Sequence, residues 1–153
     1  MNIYEYQRPV GKIIDNVDLK NKLIIIYDQK SHQQVARFCI EYSNHLTQIC
    51  GYEKSEMLIR AQYAISKWLN KEVNYHEARN IAGEFNALAR DEKDSVKVRY
   101  YRTMAQCSAI THVKYHGLWA CDFAITLINR LYPNDLEAVR NERQFQIDCL
   151  SQI

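Results

Sequence analysis

From residue 31 onward, apolar side chains recur three and four positions apart, the spacing that lines up one face of an α-helix. Ser31-His32-Gln33-Gln34 opens the first such stretch as a capping box, Ser31 closing the helix start and Gln34 reaching back to it. Val35, Phe38, Cys39, Tyr42, Leu46 and Ile49 mark its inner face over residues 32–50, and Gly51 stands where a left-handed terminus belongs. A second helix is predicted over 55–69, with Leu58, Ala61, Ile65 and Trp68 inward and Asn70 as its stop. Asn74 with Glu77 opens a third, which Ala78, Ile81, Ala82, Phe85 and Leu88 carry to Arg90. After a charged linker at 91–95, the pattern runs from Val96 to Leu131 and is read as two helices broken near Lys114 to Gly117. Pro133 ends that segment, and Asn134 with Glu137 starts a last helix through Ala138, Val139, Phe145, Cys149 and Leu150.

Strand-like patterning is confined to the first 30 residues. Ile3, Tyr4 and Tyr6, a Pro9-Val10-Gly11 turn, Ile13-Ile14 and the run Leu23 to Tyr27 predict a short β-hairpin or an irregular arm. The expected fold class is therefore all-α: a compact bundle of about six helices over 31–153, preceded by an arm over 1–30. Only four glycines and two prolines interrupt the chain, which suits a few helices better than many turns. No repeat or low-complexity segment suggests a solenoid or a tether.

Composition narrows the function classes. At 153 residues the chain is long enough for one substantial core, and 47% hydrophobic with 25% charged residues is globular rather than disordered. Twenty basic against eighteen acidic side chains leave a net charge of +2, too little for an extended phosphate-binding face, so no nucleic-acid partner is expected. Cys39, Cys50, Cys107, Cys121 and Cys149 are odd in number and never paired as C-x-x-C, as for buried thiols in a reducing, cytoplasmic setting. The start MNIYEYQRPV lacks the features of a secretory leader, and the aliphatic run Leu23 to Ile26 falls far short of the roughly 20 residues a membrane span needs. No membrane partner is expected.

The most suggestive local chemistry is His112-Val-Lys-Tyr-His116. Two histidines four apart on a continuous helix project side by side and can hold zinc, but the metalloprotease version needs a glutamate where Val113 stands. On one helical wheel both fall with Tyr101, Ala105, Ala109, Trp119, Phe123 and Leu127, so hydrogen-bonded interior histidines are the plainer reading and metal ligation the alternative. Arg90, Arg99, Arg102, Arg140 and Arg143 read mostly as surface ion-pair partners. Arg102 shares the histidines' helix, and Glu142-Arg143-Gln144-Phe145-Gln146 offers a dense polar set on the last one. Nucleophilic catalysis gains little: Cys107 lies roughly 140° around the wheel from His112. Ser108 is better aligned, yet has no orienting acid or oxyanion hole in view. There is no phosphate loop or dinucleotide fingerprint, and no cofactor is expected. Eleven tyrosines suit either a recognition surface or a bundle interior.

In order and spacing, these features resemble a helical family described as putative immunity proteins of bacterial polymorphic toxin systems. The resemblance rests on Ala61-Gln-Tyr-Ala-Ile-Ser-Lys-Trp68-Leu69, Glu77-Ala78-Arg79 and Ala87-Leu-Ala89-Arg90. It continues through Arg102-x-x-x-Gln106, Ala109, His112-Val113-x-x-His116, Phe123-Ala124 and Glu142-Arg143-x-Phe145-Gln146. The chain departs from it at Asn70, at Phe145 and over the first 30 residues. The resemblance implies a cytoplasmic, non-catalytic protein that binds and neutralises a protein toxin, with homodimerisation left open. On that reading Arg102, Gln106, His112, His116, Glu142, Arg143 and Gln146 form an architectural network tying the last helices together. The competing reading makes His112 and His116 the centre of a small-ligand or metal pocket, hence a sensor or an enzyme.

Overall fold

The computed structural model describes residues 13–153. Among them are seven α-helices: α1 (Val17–Asp28), α2 (His32–Ile49), α3 (Glu56–Leu69), α4 (His76–Asp91), α5 (Ser95–Ser108), α6 (His116–Leu131) and α7 (Leu136–Ser151). A 3-10 turn, Ala109–Thr111, joins α5 to the segment before α6. The described residues form an all-α bundle, as the spacing of apolar positions predicts.

The helix ends follow from short-range chemistry. Asn16, Ser31, Ser55, Asp94 and Asp135 each turn a side-chain oxygen onto the free backbone N–H groups of the following first turn. The Ser31–Gln34 capping box is closed in both directions. Gly51, at φ +71°, lets Tyr52 N–H reach back to Thr47 O at 3.1 Å, the left-handed terminus its position predicts. The same turn recurs after α3, with Lys71 at φ 61° in the left-handed place. Two starts differ from expectation. Asn134 takes a left-handed conformation, which leaves Asp135 to cap α7. Asn74 accepts from His76 N–H, and Tyr75 precedes α4 without a side-chain cap.

Two further differences matter for function. Leu23 to Tyr27, expected as part of a hairpin or irregular arm, lies inside α1. Leu23 and Tyr27 are buried one turn apart, but Ile24, Ile25 and Ile26 are apolar on the remaining faces, and that blurs the helical period in the sequence. The expected strand or arm signals at residues 1–12 lie outside the described residues. The predicted break in the long fourth segment exists, but it starts earlier, at the 3-10 turn after Ser108. The turn resets the helical phase, so His112, placed inward on a continuous wheel, is exposed.

α6 is the most enclosed helix, with Leu118, Ala120, Cys121, Ala124, Ile125, Leu127 and Ile128 all buried. α5 packs between α4 and α6, α2 crosses α5, α6 and α7, and α1 lies along α7. Asn129 on α6 holds the chain ahead of α1, accepting from Ile14 N–H at 2.8 Å and donating to Ile14 O at 3.0 Å. Gly117, in the first turn of α6, allows α2 to approach closely: a Cβ there would overlap Val35 Cγ1 and touch Ile110 Cδ1 at 3.4 Å.

Gly117→Ala is therefore expected to lower the urea midpoint by the equivalent of about 1–3 kcal/mol through overpacking. Gly83, mid-helix in α4, has open space where a Cβ would stand, so Gly83→Ala should raise stability by up to about 1 kcal/mol.

Candidate functional site

Three side chains of the last helix, Glu142, Arg143 and Gln146, lie on its buried face and organise a polar network through the bundle. Arg143 is 1% exposed. Its Nε and Nη2 donate to the two oxygens of Asp15 at 2.9 and 2.7 Å, a two-pronged grip on the residue just before α1. Nη2 also donates to Asp122 of α6 at 2.8 Å, and Nη1 to Gln146 Oε1 at 3.0 Å. Gln146 spends its amide hydrogens on Tyr42 Oη at 2.8 Å and Cys121 O at 3.0 Å. Tyr42 in turn donates to Glu142 at 2.6 Å, and His45 Nε2 meets the same carboxylate at 2.9 and 3.1 Å. Phe145 covers the His45 ring, with centroids 3.6 Å apart. At the other end, Lys20 stands 3.7 Å from Asp122.

Opposing electrostatic effects meet here. Burial disfavours the charge on Arg143, but the hydrogen bonds and charges of Asp15 and Asp122 outweigh it and hold the guanidinium ionised, its pKa raised. Burial likewise opposes ionisation of Asp15, and Arg143 overcomes it, leaving that carboxyl below its ordinary value of 3.8. Burial and then the Glu142 charge push the Tyr42 hydroxyl well up, so it stays a neutral donor.

The remaining predicted residues do not join this network. Arg102 donates to Asn86 of α4 at 2.8 Å. Gln106, buried in α5, accepts from His116 Nδ1 at 2.8 Å across the break, and His116 lies edge-on to Trp119. His112 is exposed, tilted against Tyr75 at 5.0 Å and 6.1 Å from the His116 ring. The seven residues thus divide between the α7 network, the α5–α6 junction and an α4–α5 contact. Among the described residues, no three groups capable of binding a metal come together. Ser108 donates to Met104 O at 2.8 Å, so its hydroxyl serves its own helix and not His112. The cysteines are free thiols. Burial raises Cys39 and Cys121 well above an ordinary thiol, and raises Cys50 to about 11. Burial and the neighbouring Glu41 raise Cys149 to about 12, leaving these four thiols protonated and poor nucleophiles at neutral pH.

Asp15, Asp122 and His45 belong to the network and were not singled out by sequence, whereas Tyr42 was expected on the inner face of its helix but only as an apolar ring. Asp122 did carry a signal, since an acid between Cys121 and Phe123 on so apolar a helix calls for a buried cation. Beside the α5–α6 junction lies an open cleft of about 530 Å³, lined by Tyr27, Asp28, His32, His112, Lys114 and Tyr115 among others. His32 Nε2 donates to Ile110 O there.

A family model described as "Imm-5 like putative immunity protein" matches residues 26–153. No curated protein and no solved structure matches. The matched stretch contains Asp122 and the α7 polar set but not Asp15.

Removing the guanidinium while its two acids remain should be severe: Arg143→Ala is expected to lose about 3–5 kcal/mol in urea unfolding. Because the folded pKa of Asp15 is depressed, the unfolded chain binds its proton first. Its stabilising contribution is present above its ordinary value of 3.8 and is lost as pH falls through the folded value. Asp15→Asn should therefore flatten the acid limb of a stability–pH curve while lowering stability at neutral pH.

Proposed function

The chain belongs to the Imm-5 like putative immunity protein family, and from that premise we propose that it binds a protein toxin in the bacterial cytoplasm and neutralises it without turning over a substrate. The match over residues 26–153 carries this reading. Physical features support it. Inhibition by binding needs a surface that is already in place before the partner arrives, because every side chain ordered on contact subtracts from affinity. A network that pins α1, α2, α6 and α7 to one another supplies such a scaffold. The tyrosines divide between interior and surface: Tyr27, Tyr42 and Tyr100 are buried, whereas Tyr63 is 63% and Tyr132 45% exposed. Tyr63 is braced by the Lys67 ammonium, 4.8 Å from its ring centre, and Lys67 is itself held by Glu77. A braced, exposed aromatic ring is the kind of anchor on which tight protein interfaces concentrate their energy. Against turnover stand the thiols held protonated and the Ser108 hydroxyl committed to its own helix. No helix among the described residues is long and apolar enough to cross a membrane.

Co-expression with the toxins encoded beside its gene tests the reading. One of them should be tolerated by a bacterial host only when this chain is present, and the pair should co-elute as a complex. If every such toxin remains lethal and none co-elutes with the folded protein, the immunity reading fails.

A further inference from the structure

We propose that the face of the bundle carrying Arg99, Arg102 and Arg130 docks an acidic surface of a protein partner. Arg99 and Arg102 stand three positions apart on α5, which makes them neighbours on that helix, and Arg130 lies in the last turn of α6, the helix packed alongside. Sequence alone reads Arg99 and Arg102 as surface ion-pair partners. Among the described residues, none of the three meets an acid. Arg102 donates to Asn86, an amide that fixes the guanidinium without offsetting its charge. Arg99 is half-buried, and burial and then the charges of Arg130 and Arg102 hold it below an ordinary guanidinium, with no acid acting the other way. Elsewhere the fold answers its cations: Arg60 meets Glu84, Lys67 meets Glu77, and Arg143 meets two carboxylates. Three guanidiniums gathered against their own repulsion are complementary to carboxylates that the described chain does not supply.

The chemistry favours a protein over other polyanions. A nucleic acid calls for a track of cations along its backbone, and a net charge of +2 provides no such field around these three. A carboxylate matches the planar fork of a guanidinium through two parallel hydrogen bonds, so acidic side chains on one surface can engage the arginines separately. Phe123, half-buried, lies about two turns before Arg130 on the same side of α6. It offers an aromatic contact of the kind that accompanies arginine in protein interfaces. Identifying the partner with the toxin rests on the immunity reading.

Titration of the ¹⁵N-labelled full chain with hexaglutamate tests the surface. Saturable amide shifts are expected in residues 98–103 and 126–131, weakening as salt is raised. Arg99→Gln combined with Arg130→Gln relieves the mutual repulsion, so the thermal melt should hold or rise while hexaglutamate binding falls at least about fivefold. Lys22→Gln with Arg37→Gln removes the same charge from exposed positions on α1 and α2 and should leave binding unchanged. No saturable shift at this face, equal binding by the Arg99→Gln/Arg130→Gln protein, an equal loss from the Lys22 and Arg37 pair, or tighter binding of a single-stranded DNA of the same charge would each overturn the proposal. A toxin found by co-expression adds a separate arm: the same arginine substitutions should slow its association at least about tenfold and flatten its dependence on salt. A toxin that binds this variant as it binds the parent overturns the proposal and leaves the immunity reading standing. If no toxin binds at all, the immunity reading falls and the hexaglutamate titration decides the surface by itself.

Discussion

Arg143 keeps its charge in an interior where a lone guanidinium would be several kcal/mol out of balance, and the arrangement of four helices follows from how that charge is met. Two carboxylates face it from different parts of the chain, Asp15 ahead of α1 and Asp122 within α6. Neither acid could be buried without the arginine, nor the arginine without them. The requirement is geometric as well as electrostatic, because a planar donor fork accepts partners only along fixed directions. α1 must therefore lie along α7 at one register, and α6 must turn Asp122 towards the same point. Gln146 and Tyr42 extend the constraint to α2, ending at Glu142 and His45. Apolar packing can tolerate a slide of one helix over another at modest loss. A chain of hydrogen bonds between buried polar atoms cannot.

Much of this fold was legible in the sequence because its determinants are local. The Ser31 capping box, the glycine after α2 and Pro133 each act within a few residues, and the inner faces of α2, α3 and α4 show in their apolar spacing. α1 was obscured because three successive isoleucines make its outer faces as apolar as its inner one. The break after Ser108 was recognised as a break but placed a few residues late, and that shift turned His112 from an expected interior residue into an exposed one. A wheel drawn through a 3-10 turn gives the wrong face to everything beyond it.

The polar residues of α7 were visible as a dense set, but their partners were not. Asp15 and Arg143 are 128 positions apart, and Tyr42 and Glu142 are 100 apart. No periodicity reports a contact of that range; only the rule that a buried charge needs an opposite one could have directed attention to Asp122. Arg102, Gln106 and His116 look like members of the same set in sequence, yet they satisfy Asn86 and one another elsewhere in the bundle. A single chain of letters does not show which polar residues share an interior and which merely share a helix.

The span between Asp15 and Arg143 also governs when the molecule can be complete. Synthesis runs from the amino to the carboxyl end, so Asp15 and Asp122 are both made before the arginine that answers them. Until then both acids lack the guanidinium that joins them. A product truncated before α7 would thus lack the closing cation as well as a helix. α7 therefore acts as a late lock on the bundle, because the acids made before it are answered only once it has been added.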